Sequence, residues 1–454
     1  MNASAPPRQS INAVAGPIVG EFVLGLVVAV AGLYLASHTS DAAAGSFGLT
    51  QIVLESLSVL FRVLSIGAGV VVGQALGRGR SGDVQRSAFA ALGASTWVGV
   101  AVALIFLFGH AGILSWLNAP AEVLPQASLY MMCLAPAMVL EAHNLSMAAV
   151  LRAHLFARES LRIMVMMHSV HLVLAWVLMQ GWGDWSGLGL VGYAWAYLIS
   201  RACGLWLHVR FWRQRLALRP EGRDWWRCSL VAVQPILRIG LPSAAVEWGY
   251  RLGFMVSVAA TAKLGVGALA AHAYTLQILK LVLLGSMSIG WAMEIMVGRL
   301  VGAARIREAD RTVRKALRNG LLISGALALT AALTSPWLMR VFTSDPAIIE
   351  LCQRLLWLSI ALELARVFNM VINASLRATG DAAFVVRASL VSWALILALG
   401  STVLGAWWGL VGVWLAYIAD ELTRGALMWW RWSTGGWHGS ARSSVRALRE
   451  RAPD

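Results

Sequence analysis

Long apolar segments recur along the whole chain and constrain its fold more than any other feature. Each is about 20 residues long or slightly longer, the length at which a helix crosses the hydrocarbon core of a bilayer. Only 13% of the 454 residues are charged, against about 25% in soluble domains, so a water-soluble enzyme is excluded. The segments predict twelve membrane-spanning helices, at residues 13–36, 48–73, 87–109, 124–149, 163–181, 188–209, 236–261, 268–297, 317–340, 348–375, 385–406 and 408–430.

Basic residues concentrate in alternate connections between these predicted spans. The 37 Lys and Arg residues against 22 Asp and Glu give a net charge of +15, which in a soluble protein would suggest a nucleic acid partner. In a membrane protein, short loops rich in Lys and Arg remain in the cytoplasm. The connections after the second, fourth, sixth and eighth spans and the C-terminal tail hold most of these residues. We therefore predict that both termini are cytoplasmic and that no nucleic acid is bound. The membrane is expected to be the inner membrane of a bacterium.

The two halves of the chain form an internal repeat. When the halves are aligned, Pro17 falls on Pro242, and the Leu-Arg-Ala triplet at 151–153 falls on that at 376–378. After a small shift of the alignment, Tyr197 falls on Tyr417. Each copy holds six spans, and an even number gives both copies the same orientation in the membrane.

This repeat predicts an all-α integral membrane fold of twelve transmembrane helices in two parallel six-helix lobes. Parallel repeats are a transporter architecture with the substrate path between the lobes, although an old duplication in a protein that transports nothing would leave the same pattern. The predicted divisions are an N-terminal lobe at 1–212, a cytoplasmic linker at 213–229, a C-terminal lobe at 230–434 and a basic cytoplasmic tail at 435–454.

Several short motifs in this frame resemble those of the multidrug and toxic compound extrusion (MATE) transporters. They are G-P-I-V-G-E (16–21), V-G-Q-A-L-G-R-G-R (72–80), G-L-P-S-A-A-V-E (240–247), G-A-L-A-A-H-A (267–273), V-G-R-L-V-G-A-A-R (297–305) and L-R-A-T-G-D (376–381). The resemblance implies efflux of organic, often cationic and amphipathic compounds, driven by entry of protons or sodium as the lobes alternate between two open states. We expect no enzymatic activity, no cofactor besides the coupling ion, membrane lipid and small organic substrates as partners, and a functional monomer.

The sequence departs from this family where ion coupling usually resides. Members commonly carry an Asp in the first span, but residues 28–31 here read Val-Ala-Val-Ala. A frequent Glu of the seventh span is replaced by Tyr250, and an acidic position of the tenth span is occupied by Arg366. The usual coupling positions therefore do not carry over.

Ionisable residues inside the spans are the default functional candidates, because a charge at the bilayer centre costs about 2.5 to 3.5 kcal/mol on insertion scales. Helical spacing groups some of them as local pairs, which could be fixed structural ion pairs: Glu55 with Arg62, Glu247 with Arg251, and Glu363 with Arg366. Arg201 and Lys280 are expected to snorkel towards helix ends. The candidates for ion coupling or a substrate cavity are Glu21, Glu55, Arg62, Glu141, Glu247, Arg251, Glu294, Glu363 and Arg366.

Three of these carboxylates have no basic residue within one helical turn, namely Glu21, Glu141 and Glu294. A carboxylate that is buried without a counter-charge takes up a proton more readily, which suits a proton carrier. We therefore predict that Glu21 and Glu141, with Glu294 as a third candidate, carry the coupling proton. Glu247 and Glu363 should stay ionised beside their arginines, with Glu247 and Arg251 facing the lobe interior or the central cleft.

Pro17 and Pro242 lie near the starts of the first and seventh spans, each about one turn before a Glu. Proline removes a backbone hydrogen bond and kinks a helix, so each is predicted to be a kink, either a hinge that responds to protonation or a static bend. His168 and His171 lack further ligands nearby, and no metal site is expected.

An alternative function is a flippase or exporter for a lipid-linked or anionic substrate. Basic residues inside the spans would suit such a substrate, whereas a net acidic cavity would favour export of cations.

Overall fold

The protein is described by a computed structural model covering residues 11–117, 120–182, 185–340 and 342–442. The described chain is almost entirely helical, as expected in a bilayer, where each backbone group needs a hydrogen-bond partner within the protein. Its α-helices are α1 (Ile11–Ser37), α2 (Asp41–Gly77), α3 (Ser81–Phe108), α4 (His110–Trp116), α5 (Leu124–Ala153), α6 (Ala157–Gln180), α7 (Leu190–Phe211), α8 (Leu230–Ala262), α9 (Val266–Gly302), α10 (Ile306–Arg340), α11 (Pro346–Ala378), α12 (Ala382–Ser392) and α13 (Leu399–Ser433).

Within the described residues these helices provide twelve spans. Ten stretches are long and apolar enough to cross a membrane, and the last of them, Ala382–Ser433, contains two spans. The helix breaks there at Trp408 and Gly409, and Gly409 has a φ of 60°, which a glycine adopts without strain. The remaining span is α7, which is the sixth in chain order. The predicted all-α membrane fold of two six-span sets is confirmed.

Polar caps mark where several helices begin. The Ser40 hydroxyl accepts a hydrogen bond from the backbone N–H of Ala43 at 3.0 Å and thereby caps α2. The Asp345 carboxylate accepts a hydrogen bond from the N–H of Ala347 at 2.9 Å. Pro346 is the first residue of α11, and its ring fixes φ at a value that suits a helix. These residues explain why the chain turns back into the membrane at these points.

The described chain divides into two compact units. The N-terminal unit is Gly20–Gly240, and the C-terminal unit consists of the described residues of Met1–Val19 and Leu241–Asp454. Side chains such as Phe61 and Tyr130 form the core of the first, while Leu355 and Trp414 belong to the core of the second. The division falls inside α1 and α8.

The segment predicted as a cytoplasmic linker has structure of its own. It contains a π-helical turn at Trp212–Leu216 and a 3-10 turn at Gly222–Trp225. The buried Thr96 hydroxyl donates to the carbonyl of Trp225, and the indole N–H of Trp97 donates to the carbonyl of Trp226 at 2.9 Å. The end of the linker is therefore hydrogen-bonded to α3.

Candidate functional site

Two buried ion pairs join helices within the N-terminal unit. Glu21 of α1 lies 3.0 Å from the guanidinium of Arg152 on α5, and the Ser160 hydroxyl donates to its second oxygen at 2.7 Å. Glu141 of α5 lies 2.5 Å from the guanidinium of Arg201 on α7. Among the described residues, each of these carboxylates is paired with one arginine, so the charges within each pair cancel.

The C-terminal unit contains a similar pair between α9 and α11. Glu294 accepts from Arg377 at 2.7 Å, and Arg377 also donates to the Asn373 side chain at 2.5 Å. In the alignment of the two halves, Arg377 corresponds to Arg152. Both copies of the Leu-Arg-Ala triplet therefore place their arginine against a carboxylate from another helix.

Glu21, Glu141 and Glu294 lack a basic residue within one turn of their own helix, as the sequence shows, but each pairs with an arginine of another helix. Spacing along one helix reveals only neighbours within a turn, whereas these partners come from other helices, 131 residues away for Glu21 and 83 residues away for Glu294. Arg201 is 4% exposed, so the expectation that it snorkels is wrong. Because a guanidinium already balances each of these three carboxylates, burial alone does not favour their protonation, and their role as proton carriers stays a prediction.

A larger group of charges lies between α11 and α13 in the C-terminal unit. Arg366 forms the predicted local ion pair with Glu363, and its Nε also donates to Glu421 at 3.2 Å. Arg424 lies 3.1 Å from Glu421 and 2.6 Å from Asp420. We call these five residues the charge cluster. It contains three carboxylates and two guanidinium groups.

The three carboxylates of the charge cluster differ in how well they are hydrogen-bonded. Glu421 accepts a further bond from the Asn369 amide at 2.8 Å, and Asp420 accepts one from the Ser392 hydroxyl at 2.6 Å. Glu363 is fully buried, and its Oε2 has no hydrogen-bond partner among the described residues. An unpartnered buried oxygen is costly, so Glu363 is the carboxylate with most to gain from a proton.

An aromatic cleft adjoins the charge cluster. It encloses about 20 Å³, which is room for about one water molecule. The rings of Tyr250 and Phe254 lie 5.9 Å apart, and those of Phe254 and Tyr417 lie 6.1 Å apart. Aromatic faces beside carboxylates attract organic cations. The cleft is lined by Tyr250, Phe254, Leu276, Arg366, Leu397, Tyr417, Asp420 and Glu421.

The remaining predicted residues lie outside this cluster. Glu55 is exposed and Arg62 half-buried on α2, and Arg251 is half-buried on α8. The side chain of Glu247 lies outside the described residues, so its pairing with Arg251 stays a prediction. Lys280 is exposed and donates to Gln277 at 3.2 Å.

The two prolines are both inside helices. Pro17 lies within α1, and Pro242 lies within α8, well after the start of that helix at Leu230. The prediction that they act as hinges remains a prediction.

Sequence reasoning missed three members of the charge cluster, Asp420, Glu421 and Arg424. A signal was available, because all three lie close together in the predicted span 408–430. Charges in such a span normally face a protein interior.

The family model described as MatE matches residues 17–177 and 242–402. The two matched segments begin at Pro17 and Pro242, the prolines that the internal repeat aligns. The model therefore matches each copy of the repeat once.

Relatives and solved structures match over nearly the full length. The "Uncharacterized transporter YisQ" of Bacillus subtilis is 26% identical over 430 residues, covering 94% of each chain. The "Probable multidrug resistance protein NorM" of Thermotoga maritima is 24% identical over 447 residues, covering 98% of this chain and 96% of that protein. A MATE crystal structure in the bent conformation superposes with a TM-score of 0.85 at 17% identity, covering 98% of this chain and 97% of that one.

Proposed function

Because the chain belongs to the MatE family of membrane transporters, we propose that it exports amphipathic organic cations in exchange for protons. The protein works by alternating access in the inner membrane of a bacterium, with both termini in the cytoplasm. Multidrug resistance appears in the name of the Thermotoga maritima relative, and this supports a substrate range of flat or amphipathic organic compounds.

The observation that carries this proposal is the charge balance of the charge cluster. Three carboxylates face two guanidinium groups, which leaves one negative charge in surplus when all are ionised. The cleft beside them has aromatic walls. A surplus negative charge next to aromatic rings attracts an organic cation and disfavours an anion.

The same surplus charge provides the coupling. One proton neutralises it, and so does one bound cation, whereas both together would leave the buried cluster positive. Each ligand therefore weakens binding of the other, and by linkage the effect is reciprocal. Competition between a proton and a substrate for one charge is the requirement of an antiporter. We assign the proton to Glu363 because its Oε2 lacks a hydrogen-bond partner among the described residues. This assignment replaces the sequence-based expectation that Glu363 stays ionised beside Arg366.

The arginines favour a proton over sodium as the coupling ion. Sodium needs several oxygen ligands, but the carboxylates of Glu421 and Asp420 already accept hydrogen bonds from guanidinium, amide or hydroxyl groups. A neighbouring guanidinium also repels a metal cation. A proton needs only one oxygen and displaces no ligand.

The alternative of a lipid-linked or anionic substrate rests on the arginines inside the spans. Arg152, Arg201 and Arg377 are each bound to a carboxylate, which neutralises their charge. The surplus in the charge cluster is acidic, and this supports the cation exporter.

The test is a flux assay in proteoliposomes with ethidium as the organic cation and a pH-sensitive dye inside. We expect ethidium movement to be accompanied by proton movement in the opposite direction, at the same rate with and without sodium. An ethidium flux that requires sodium would exclude the proton as the coupling ion. Transport of a phosphorylated lipid that ethidium does not affect would establish the alternative function.

A further inference from the structure

A groove runs along the C-terminal unit between two walls. One wall is α12 with the π-helical turn Trp393–Ala398 that continues it, and the other is the part of α13 that follows Gly409. The volume of the groove is about 460 Å³. The residues of the first wall recur every three or four positions, so they share one helix face. The groove is lined by Phe384, Arg387, Ala388, Val391, Ser392, Leu395 and Ile396, and by Thr423 and Leu427 of α13.

Arg387 is the charged residue of this lining. It is exposed, and its Nε donates to the carbonyl of Ala383 at 3.3 Å. In the described part of the chain, no carboxylate forms a salt bridge with it. A guanidinium at a membrane surface needs a polar partner, and a phosphate group can accept two of its hydrogen bonds.

Neighbouring residues place Arg387 at the level of the lipid headgroups. The ring of Phe384 lies 5.1 Å below the guanidinium of Arg431, and Arg431 pairs with Asp381 at 2.8 Å. Asp381 immediately precedes α12 and belongs to a connection predicted to face the cytoplasm. Ionic groups therefore gather at the end of the groove that Arg387 occupies.

The rest of the groove suits a hydrocarbon chain. Val391 and Leu395 are 58% and 60% exposed, and Leu427 is 37% exposed. The nine helical steps from Arg387 to Ile396 rise about 13 Å at roughly 1.5 Å per residue, close to the half-thickness of about 15 Å of a hydrocarbon core.

We propose that this groove binds one phospholipid of the cytoplasmic leaflet. The guanidinium of Arg387 binds the phosphate, and one acyl chain lies along Val391 and Leu395. The inner wall of the groove adjoins the charge cluster, because Ser392 lines the groove and donates to Asp420 at 2.6 Å. This lipid site does not depend on the identity of the transported substrate.

The proposal is tested by native mass spectrometry of the purified full-length protein with added dioleoylphosphatidylglycerol. The matched ligand is dioleoylglycerol, which has the same chains and no phosphate. Arg387→Ala removes the phosphate contact, and Leu395→Trp fills the groove at an exposed position. The control is Arg162→Ala, since Arg162 is also exposed and corresponds to Arg387 in the alignment of the two halves.

We expect the parent protein and Arg162→Ala to retain one phosphatidylglycerol molecule at the same lipid concentration. Arg387→Ala should need a concentration about tenfold higher, in line with the loss of a charge-assisted contact, and Leu395→Trp should retain none. Equal binding of phosphatidylglycerol to the parent and to both groove variants would overturn the proposal. Equal binding of dioleoylglycerol and phosphatidylglycerol to the parent would also overturn it.

Discussion

Arg201 of the N-terminal unit and Glu421 of the C-terminal unit occupy corresponding positions of the internal repeat and carry opposite charges. Each lies one helical turn after the tyrosine that the two copies share. Their partners are reversed in the same way, because Glu141 corresponds to Arg366. The ion pair between the fourth and sixth spans of each copy therefore has the same location in the repeat and the opposite polarity. Reversing the charge of both partners preserves the ion pair. Reversing the charge of only one partner would leave two like charges in contact.

The reversed pair separates the two copies by chemistry. In the N-terminal unit Glu141 and Arg201 balance each other. In the C-terminal unit Arg366 is shared with Glu363, and Glu421 is shared with Arg424. Only the second arrangement is extended into a cluster with a surplus charge, which is why we assign coupling to the C-terminal unit.

Loss of one partner from the N-terminal pair should destabilise the protein. Glu141→Gln leaves the buried guanidinium of Arg201 without its counter-charge. Breaking a buried pair in this way costs about 3 kcal/mol or more. Thermal unfolding in detergent should show a lower apparent Tm for Glu141→Gln. The double variant with Arg201→Met should recover most of this loss in Tm. An unchanged Tm in the single variant would show that the pair adds nothing to stability.

The aromatic cleft should determine affinity for organic cations. Phe254→Leu keeps an apolar side chain but removes a ring face, and we expect the Kd for ethidium to rise roughly fivefold, equivalent to about 1 kcal/mol of cation–π attraction. Fluorescence anisotropy of ethidium, titrated with the purified protein, measures this Kd. Tyr274→Leu is the control, because Tyr274 stacks on Phe342 at 5.4 Å outside the cleft. An equal loss of ethidium affinity in both variants would contradict a specific role of the cleft.

The orientation of the chain can be read from a native cysteine. Cys228 is exposed at the end of the predicted cytoplasmic linker, whereas Cys352 is buried. A membrane-impermeant maleimide should label the protein in inverted membrane vesicles and not in intact spheroplasts, and Cys228→Ser should abolish the difference. Labelling from the outside of spheroplasts that disappears in Cys228→Ser would place the linker on the opposite side.

The sequence was sufficient to predict the spans because their length and apolarity follow from the thickness of the bilayer. The predicted break between 406 and 408 agrees with the interruption at Trp408 and Gly409. The pair of Glu363 with Arg366 was also predictable, since the two residues are one turn apart on α11. These features depend only on neighbouring residues.

The candidate site was less accessible from the sequence because its contacts join different helices. Whether Glu21 meets Arg152 depends on how α1 and α5 are rotated and packed, and spacing within α1 contains no information on that. Asp420 and Glu421 were visible as charges in an apolar span. Their importance emerges only when α13 brings them to Arg366 on α11.

The most direct test of the proposed proton exchange replaces Glu363 by Gln. This substitution removes both the acid that we assign to the proton and the surplus negative charge. In the parent, the Kd for ethidium should rise as the pH falls, because proton and cation compete for one charge. In Glu363→Gln the Kd should not vary with pH, and ethidium efflux driven by a pH gradient should fall to the rate of liposomes without protein.

Glu350→Gln serves as the control, because Glu350 is an exposed acid of the same helix, paired with Arg354 at 2.5 Å, and it should behave as the parent does. The decisive measurement is the proton flux that ethidium elicits in proteoliposomes with equal amounts of each variant. We expect a proton flux for the parent and for Glu350→Gln and none for Glu363→Gln. A Glu363→Gln protein that exchanges ethidium for protons at the rate of the parent would rule out Glu363 as the proton carrier.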